Sequence, residues 1–175
     1  MGVIFETERL VVRQWTHDDA ETVYDIYARD EVARWVGAAP RAMASVDAAH
    51  ATVDRWAARS EPDPTYGVWA IVPRGARRPV GSVLLVGLPD GDGVPTGDIE
   101  VGWHLHPDAW GNGYATEAAR GALDRGFAAG LREVFAVVRP GNEPSQAVCR
   151  RLHMKHLGRT NRYYGLSVEL FRSAE

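Results

Sequence analysis

Three short stretches carry residue types that can do chemistry together. In the first, Gly111-Asn112-Gly113 follows Pro107 and Trp110 and leads into Tyr114-Ala115-Thr116-Glu117, the start of an alanine-rich helical run. Two glycines in such a turn let the main chain pass close to a ligand at positive φ. The helix behind them aims its unpaired N–H groups and positive dipole end into the turn, an arrangement that holds phosphates. The second stretch is the strand-like run before it, where Glu100, Gly102 and His104 share one parity and Ile99, Val101 and Trp103 the other. That parity points the Glu100 carboxylate away from the apolar side, where it could take a proton from an amine or stand as a solvated strand acid. The third is Asn142-Glu143-Pro144-Ser145. Asn142 reads as a helix cap or a ligand contact, and Ser145 as part of the same cap or as a hydroxyl able to donate a proton.

The glycine turn fits neither of two common phosphate loops. No Lys follows Gly113, as a P-loop requires, and Thr116 stands where a dinucleotide fingerprint has its third Gly or Ala. The pattern of strand, Pro107, Trp110-Gly-Asn-Gly-Tyr-Ala115 and alanine-rich helix instead resembles the acetyl-CoA pyrophosphate loop of the GNAT superfamily of N-acetyltransferases. The usual form there is Gln/Arg-x-x-Gly-x-Gly/Ala. Gly113-Tyr114-Ala115 matches its second half, and Trp110 takes the Gln/Arg place, a departure associated with the branch of ribosomal-protein N-terminal (Rim-type) acetyltransferases.

The elements that must position these residues read in a compatible order. Leu10 to Trp15 is a strand, and Thr16 caps a helix through Tyr27. A second helix runs from Ala42 or Ser45 to Arg59 with Val46, Ala49, Val53 and Trp56 on one face. Tyr66 to Val72 and Val80 to Val86 form a hairpin, followed by a turn over Leu88 to Gly97 and a strand from Asp98 to Leu105. Thr116 to Ala129 is a helix closed by Gly130, Val134 to Val138 a fully apolar strand, and Asn142 to about Met154 a helix with Pro144 in its first turn. Leu157 to Tyr163 and Leu166 to Phe171 make a closing hairpin joined at Tyr164-Gly165. This order resembles the GNAT fold over nearly the whole chain. It implies an α/β (α+β) architecture, a mixed central sheet of about seven strands with about four helices, splayed between the fourth and fifth of these strands, in one domain over residues 1–175.

Several roles follow from the resemblance. It implies acetyl-CoA as cosubstrate, with no metal, and cofactor contacts from Trp110, Gly111, Asn112, Gly113, Tyr114, Ala115, Thr116, Asn142 and Ser145. Main-chain groups at His104, Leu105 and His106, on a strand bulged as in such enzymes, would hold the pantetheine arm and polarise the thioester carbonyl. Glu100 matches the position of a base acting through water, and a raised pKa from partial burial beside Trp103 or Tyr66 would suit that role. The amine acceptor, a small molecule or a peptide N-terminus, would meet Tyr24, Trp35 and Tyr163 on the first helices and the closing hairpin. His153 stands after the fourth helix where relatives often have Gly.

The chain has 175 residues, 45% hydrophobic and 25% charged, with a formal net charge of -3 and scattered basic residues, which argues against a nucleic-acid partner. One cysteine, Cys149, allows no internal disulfide and reads as a small buried apolar residue; no stretch reaches the length of a membrane span or a signal peptide. A cytoplasmic protein is expected, able to form a homodimer through an edge of the closing hairpin. Two rival readings stand beside catalysis. His104-x-His106 with His153 and His156 could bind a metal, though a third ligand at fixed spacing is missing. A GNAT-shaped module could also bind acyl-CoA without turning it over.

Overall fold

A computed structural model describes residues 2–174, arranged as one open sheet of eight strands in the order β1-β2-β3-β4-β5-β6-β8-β7. The strands are β1 (Val3–Glu6), β2 (Leu10–Gln14), β3 (Gly67–Pro73), β4 (Gly81–Pro89), β5 (Pro95–Leu105), β6 (Glu133–Val138), β7 (Lys155–Thr160) and β8 (Val168–Ala174). All neighbours are antiparallel except β5 and β6, which run parallel and are joined through the single pair Glu100 with Phe135. The mixed sheet and its parting at β5 and β6 match the expectation from sequence, while the strand and helix numbers differ. β1 is a four-residue strand on Arg13, Val12 and Val11, too short for its alternation to show in sequence.

Five α-helices cover the sheet. Helices α1 (Ala20–Tyr27), α2 (Asp30–Ala33) and α3 (Val46–Ser60) lie on one face, where Val23, Ile26, Ala49 and Val53 bury against Ala70 and Val72. Helices α4 (Tyr114–Ala128) and α5 (Glu143–Arg151) lie on the other, where Ala118, Ala122, Val148 and Cys149 bury with Leu10, Val12, Trp69 and Ile71. Alternate residues of β3 thus enter opposite cores, and Gly67 to Val72 is buried throughout, as a strand covered on both faces must be.

Local chemistry explains the boundaries. Thr16 starts a 3-10 turn over His17–Asp19 before α1 begins at Ala20. Asp19 is drawn into the core by Arg13, whose guanidinium donates to both carboxylate oxygens at 2.7 and 2.9 Å. Burial opposes ionisation of Asp19, but the bonds from Arg13 and Thr16 outweigh it and hold the carboxyl below its usual range. Helix α3 starts at the Ser45 cap, whose Oγ accepts the Ala48 N–H at 3.2 Å. Helix α5 ends with His153 at φ 58, filling a left-handed position that favours glycine. The closing hairpin is looser than expected: β7 stops at Thr160, β8 starts at Val168, and residues 161–167 form a loop between them.

Candidate active site

The loop between β5 and α4 is built as a cradle of donors. A 3-10 turn over Pro107–Ala109 leads into Gly111 and Gly113, both at φ 78, and the first helical bond of α4 runs from the Glu117 amide to the Gly113 carbonyl. Among the described residues, the amides of 111 to 116 donate to no protein acceptor, and the Thr116 hydroxyl is buried without a partner. Glu117 would repel a phosphate, yet its carboxylate is turned to β2 and the turn before it. It accepts from the Thr7 hydroxyl at 2.6 Å, the Arg9 amide at 2.9 Å and Arg9 Nε at 2.7 Å. These bonds outweigh the effect of burial and keep the Glu117 carboxyl low. Arg9 in turn donates to the Asn112 carbonyl at 3.0 Å and lies 5.2 Å from the centre of the Tyr114 ring. The loop is therefore braced from behind, and its unpaired N–H groups have the Arg9 guanidinium beside them.

Trp110 turns its indole back, donating to the Leu105 carbonyl at 2.9 Å, while its ring stays 49% exposed. Asn112 Nδ2 donates to the Ala109 and Trp110 carbonyls, so its side chain closes the turn. A groove of about 370 Å³ flanks the loop on the α1 side, between Asp25, Arg78, His106 and Tyr114.

Along β5 the structure corrects one expectation. No bulge occurs at His104 or Leu105: the register with β4 is unbroken from Ile99 to Leu105 and shifts only beyond Gly87. What frees main-chain groups here is the divergence of β6 after the Glu100–Phe135 pair. The Leu105 carbonyl is occupied by Trp110 and the His106 amide by Val80, which places the open edge before them.

Glu100 lies on the α1–α3 face, as parity requires, but that face is largely enclosed there and the residue is only 9% exposed. Its neighbour is Tyr164, not Trp103 or Tyr66, and the Tyr164 hydroxyl donates to Oε1. Burial raises the Glu100 carboxyl to about 7, against the lowering effects of the Tyr164 bond and the Arg59 charge. Four residues on, the His104 imidazole shares this face. Its Nδ1 meets the Tyr27 hydroxyl at 3.2 Å, the Tyr27 hydroxyl donates to Ser82 at 2.8 Å, and burial lowers the imidazole to about 4.

Of the residues expected to meet the acceptor, Tyr24 packs on the α1–α3 core and Trp35 is half-buried after α2 under the Arg34 guanidinium. Tyr163 does not line the mouth. It is fully buried with Leu88 and Phe135, its hydroxyl donating to Asp98 at 2.8 Å, and the next residue, Tyr164, reaches the site instead. Sequence reasoning gave no signal to separate the two tyrosines, because residues 161–167 are a loop without period. Asn142 caps α5, accepting the Ser145 amide at 3.3 Å, and leaves the Ser145 hydroxyl without a protein partner among the described residues. Cys149 is buried and its thiol is pushed up to about 12, too high for a nucleophile at neutral pH. His106 has left the strand, its Nδ1 accepting the Asp108 amide, and no group of three or more metal-ligating side chains is assembled among the described residues.

A family model described as an acetyltransferase (GNAT) domain matches residues 9–155. The chain belongs to the GNAT acetyltransferase family. It is similar to an uncharacterized N-acetyltransferase, YoaA, of Bacillus subtilis (strain 168), 30% identical over 165 residues, with 93% of this chain and 89% of that one covered. Among solved structures it resembles RimL, a ribosomal L7/L12 α-N-protein acetyltransferase in complex with coenzyme A, at a TM-score of 0.80 and 14% identity, covering 99% and 98% of the two chains. It also resembles the ribosomal-protein-S5-alanine acetyltransferase of Vibrio fischeri, at a TM-score of 0.74 and 20% identity over 97% and 95%. This GNAT chain is thus an acetyl-CoA-dependent N-acetyltransferase. No helix among its described residues is long and apolar enough to cross a membrane.

Proposed function

We propose that this GNAT enzyme carries an acetyl group from acetyl-CoA to a primary amine, a protein N-terminus or a small molecule, by direct attack within a ternary complex. The observation that carries the reading is the braced loop with six free amides, a socket for the coenzyme diphosphate, at the end of a strand that also carries a buried carboxyl whose pKa lies near neutrality. Trp110 to Thr116 hold the diphosphate, and the main chain of β5 near His104 and Leu105 orients the pantetheine arm along the parting of β5 and β6. An amine of pKa near 10 is mostly protonated at neutral pH, so attack needs a proton acceptor, and Glu100, half ionised near pH 7, fits that task directly or through water.

In the transfer, Glu100 takes the ammonium proton, the freed amine lone pair forms the N–C bond to the thioester carbon, and the C–S bond breaks. The coenzyme thiolate, a tolerable leaving group, receives the proton lost by the acylated nitrogen, relayed by the Ser145 hydroxyl or by water. Tyr24 and Trp35 border the acceptor side. The Rim-type likeness favours a peptide N-terminus as acceptor. Catalysis by one domain spanning residues 1–175, in the cytoplasm, completes the reading. Release of coenzyme A across a panel of amines and peptide N-termini tests it: turnover on at least one class is expected. Thermal protection by acetyl-CoA with no release on any acceptor would leave a binding module.

A further inference from the structure

Residues 161–167, which join β7 to β8, carry a tyrosine that ordinary loop packing does not explain. Tyr164 has φ 57, a left-handed conformation that a bulky side chain adopts only under constraint. The constraint is visible. The Tyr164 amide donates to the Pro89 carbonyl at 3.2 Å, and the Leu166 amide to the Tyr163 carbonyl at 3.0 Å. Gly91 of the β4–β5 turn packs so closely on Gly165 that a Cβ at 91 would come within 3.3 Å of the Gly165 Cα. On the other side, Asp98 accepts from the Tyr163 hydroxyl and pairs with Arg162 at 2.9 Å. A loop held at Pro89, Gly91 and Asp98 thus delivers one phenol O–H to one carboxylate oxygen of Glu100.

We propose that Tyr164 is a positioning residue that keeps Glu100 ionised and aimed, holding Oε1 so that Oε2 is left for the acceptor amine. This rests on the assignment of Glu100 as proton acceptor. Among the described residues Oε2 accepts no protein hydrogen bond and is not fully enclosed, so it is the carboxylate oxygen left for an acceptor. A hydroxyl donating to a carboxylate favours its charged form, and here it opposes the burial that neutralises the group. The charged and titratable groups facing Glu100 are few. Tyr164 comes from the 161–167 loop and Arg59 from the end of α3, while on the same strand face Asp98 is engaged by Tyr163 and Arg162, and His104 meets the Tyr27 hydroxyl and is lowered by burial to about 4. The β4 and β6 neighbours on the strand ladder, Val86 and Phe135, are apolar. Among the described residues Tyr164 is therefore the one uncharged donor that acts on the base directly, and its own burial beside a carboxylate raises its pKa, keeping it a donor at any working pH.

The decisive measurement titrates Glu100 itself, by ¹³C NMR of labelled glutamate carboxyls, in the wild type, Tyr164→Phe and Tyr164→Gly. The glycine variant relieves the left-handed backbone while removing the phenol, so it folds even where the phenylalanine ring disturbs the loop. Tyr164→Phe, which keeps the ring and loses only the hydroxyl, should move the Glu100 midpoint upward by about one to two pH units, the size of a lost bond to a charged group, and Tyr164→Gly, which also lets water reach the carboxylate, should leave it below the phenylalanine variant's value. The acidic limb of kcat/KM on any acceptor that turns over should move with it, at unchanged KM for acetyl-CoA. On a Glu100→Gln background the same substitution should leave the pH profile unaltered. A Glu100 midpoint that stays in place in both variants overturns the proposal, whereas the role of Glu100 in turnover is decided separately by Glu100→Gln.

Discussion

Replacing Glu100 by Gln should make the protein more stable and less active at the same time, and both changes have a calculable pH dependence. The carboxyl moves from 4.5 in the unfolded chain to about 7 in the fold because burial disfavours its charge. Below 4.5 it is neutral in both states and costs nothing. Between the two values the folded state binds the extra proton, so stability falls as pH rises, and above about 7 the whole cost, about 3 kcal/mol, is present. Gln has nearly the same shape and no charge to bury. The variant should therefore gain up to about 3 kcal/mol near pH 8, roughly 8 °C in Tm for a chain of this length, and nothing near pH 4. Turnover at neutral pH should fall by about 10² to 10⁴, the usual worth of a positioned base, and recover in part at high pH where the amine is already neutral. In the wild type, kcat/KM should rise about tenfold between roughly pH 6 and pH 8 as the carboxylate forms. Urea unfolding across pH, alongside coenzyme A release, reads both effects. A stability gain equal at every pH would show that no charge is buried at Glu100, and unchanged turnover would move the base elsewhere.

Acetyl-CoA at about 100 times its Kd should stabilise the fold by about 2.7 kcal/mol. Gly113→Glu should abolish that protection, since residue 113 has φ 78 and the new carboxylate would crowd the free amides; equal protection of the variant in a thermal-shift assay would place the diphosphate elsewhere. Asp19→Ala should cost about 3 to 5 kcal/mol by leaving the Arg13 guanidinium buried without its partner. Because the Asp19 carboxyl is held low, its contribution is present above the unfolded value of 3.8 and lost as pH falls through the lower folded one, which denaturation at acid pH would show. His153→Gly should stabilise by about 0.5 to 1 kcal/mol: relief of a left-handed non-glycine residue, worth roughly 1 to 2, exceeds the added entropy of glycine in the unfolded chain. A lower Tm for that variant would mean that the His153 side chain makes contacts worth more than the strain.

Much of this was legible in sequence wherever a short-range rule governs the outcome. Gly111 and Gly113 take the positive φ their spacing implied, Asn142 caps α5, α3 starts at the later of its two expected positions, and Glu117 points away from the loop as its charge demands. What could not be read depends on partners distant in the chain. The strand β1 exists because β2 offers an edge, not because four residues declare a period. The environment of Glu100 was misjudged for the same reason: parity fixes which face a side chain takes, but its burial is decided by residues 161–167, which no periodicity ties to β5. Tyr163 and Tyr164 differ by one position, and only the docking of their loop on Pro89 and Asp98 sends one to the core and the other to the carboxylate.

The two faces of β5 give a physical reason for the proposed transfer without a covalent enzyme intermediate. Val101 and Leu105 pack into the core with α4 and α5, the side on which the amide-rich loop begins its helix, while Glu100 and His104 look to the α1–α3 side. A thioester lying along the free edge beyond the Glu100–Phe135 pair would be reached by the acceptor from the second side while its coenzyme leaves toward the first. No nucleophile is needed between them, and the one thiol, Cys149, is buried on the coenzyme side and protonated at neutral pH. Both substrates must then be bound at once. Initial-rate plots should intersect, and parallel lines, the mark of an acetyl-enzyme, would contradict this division of the strand.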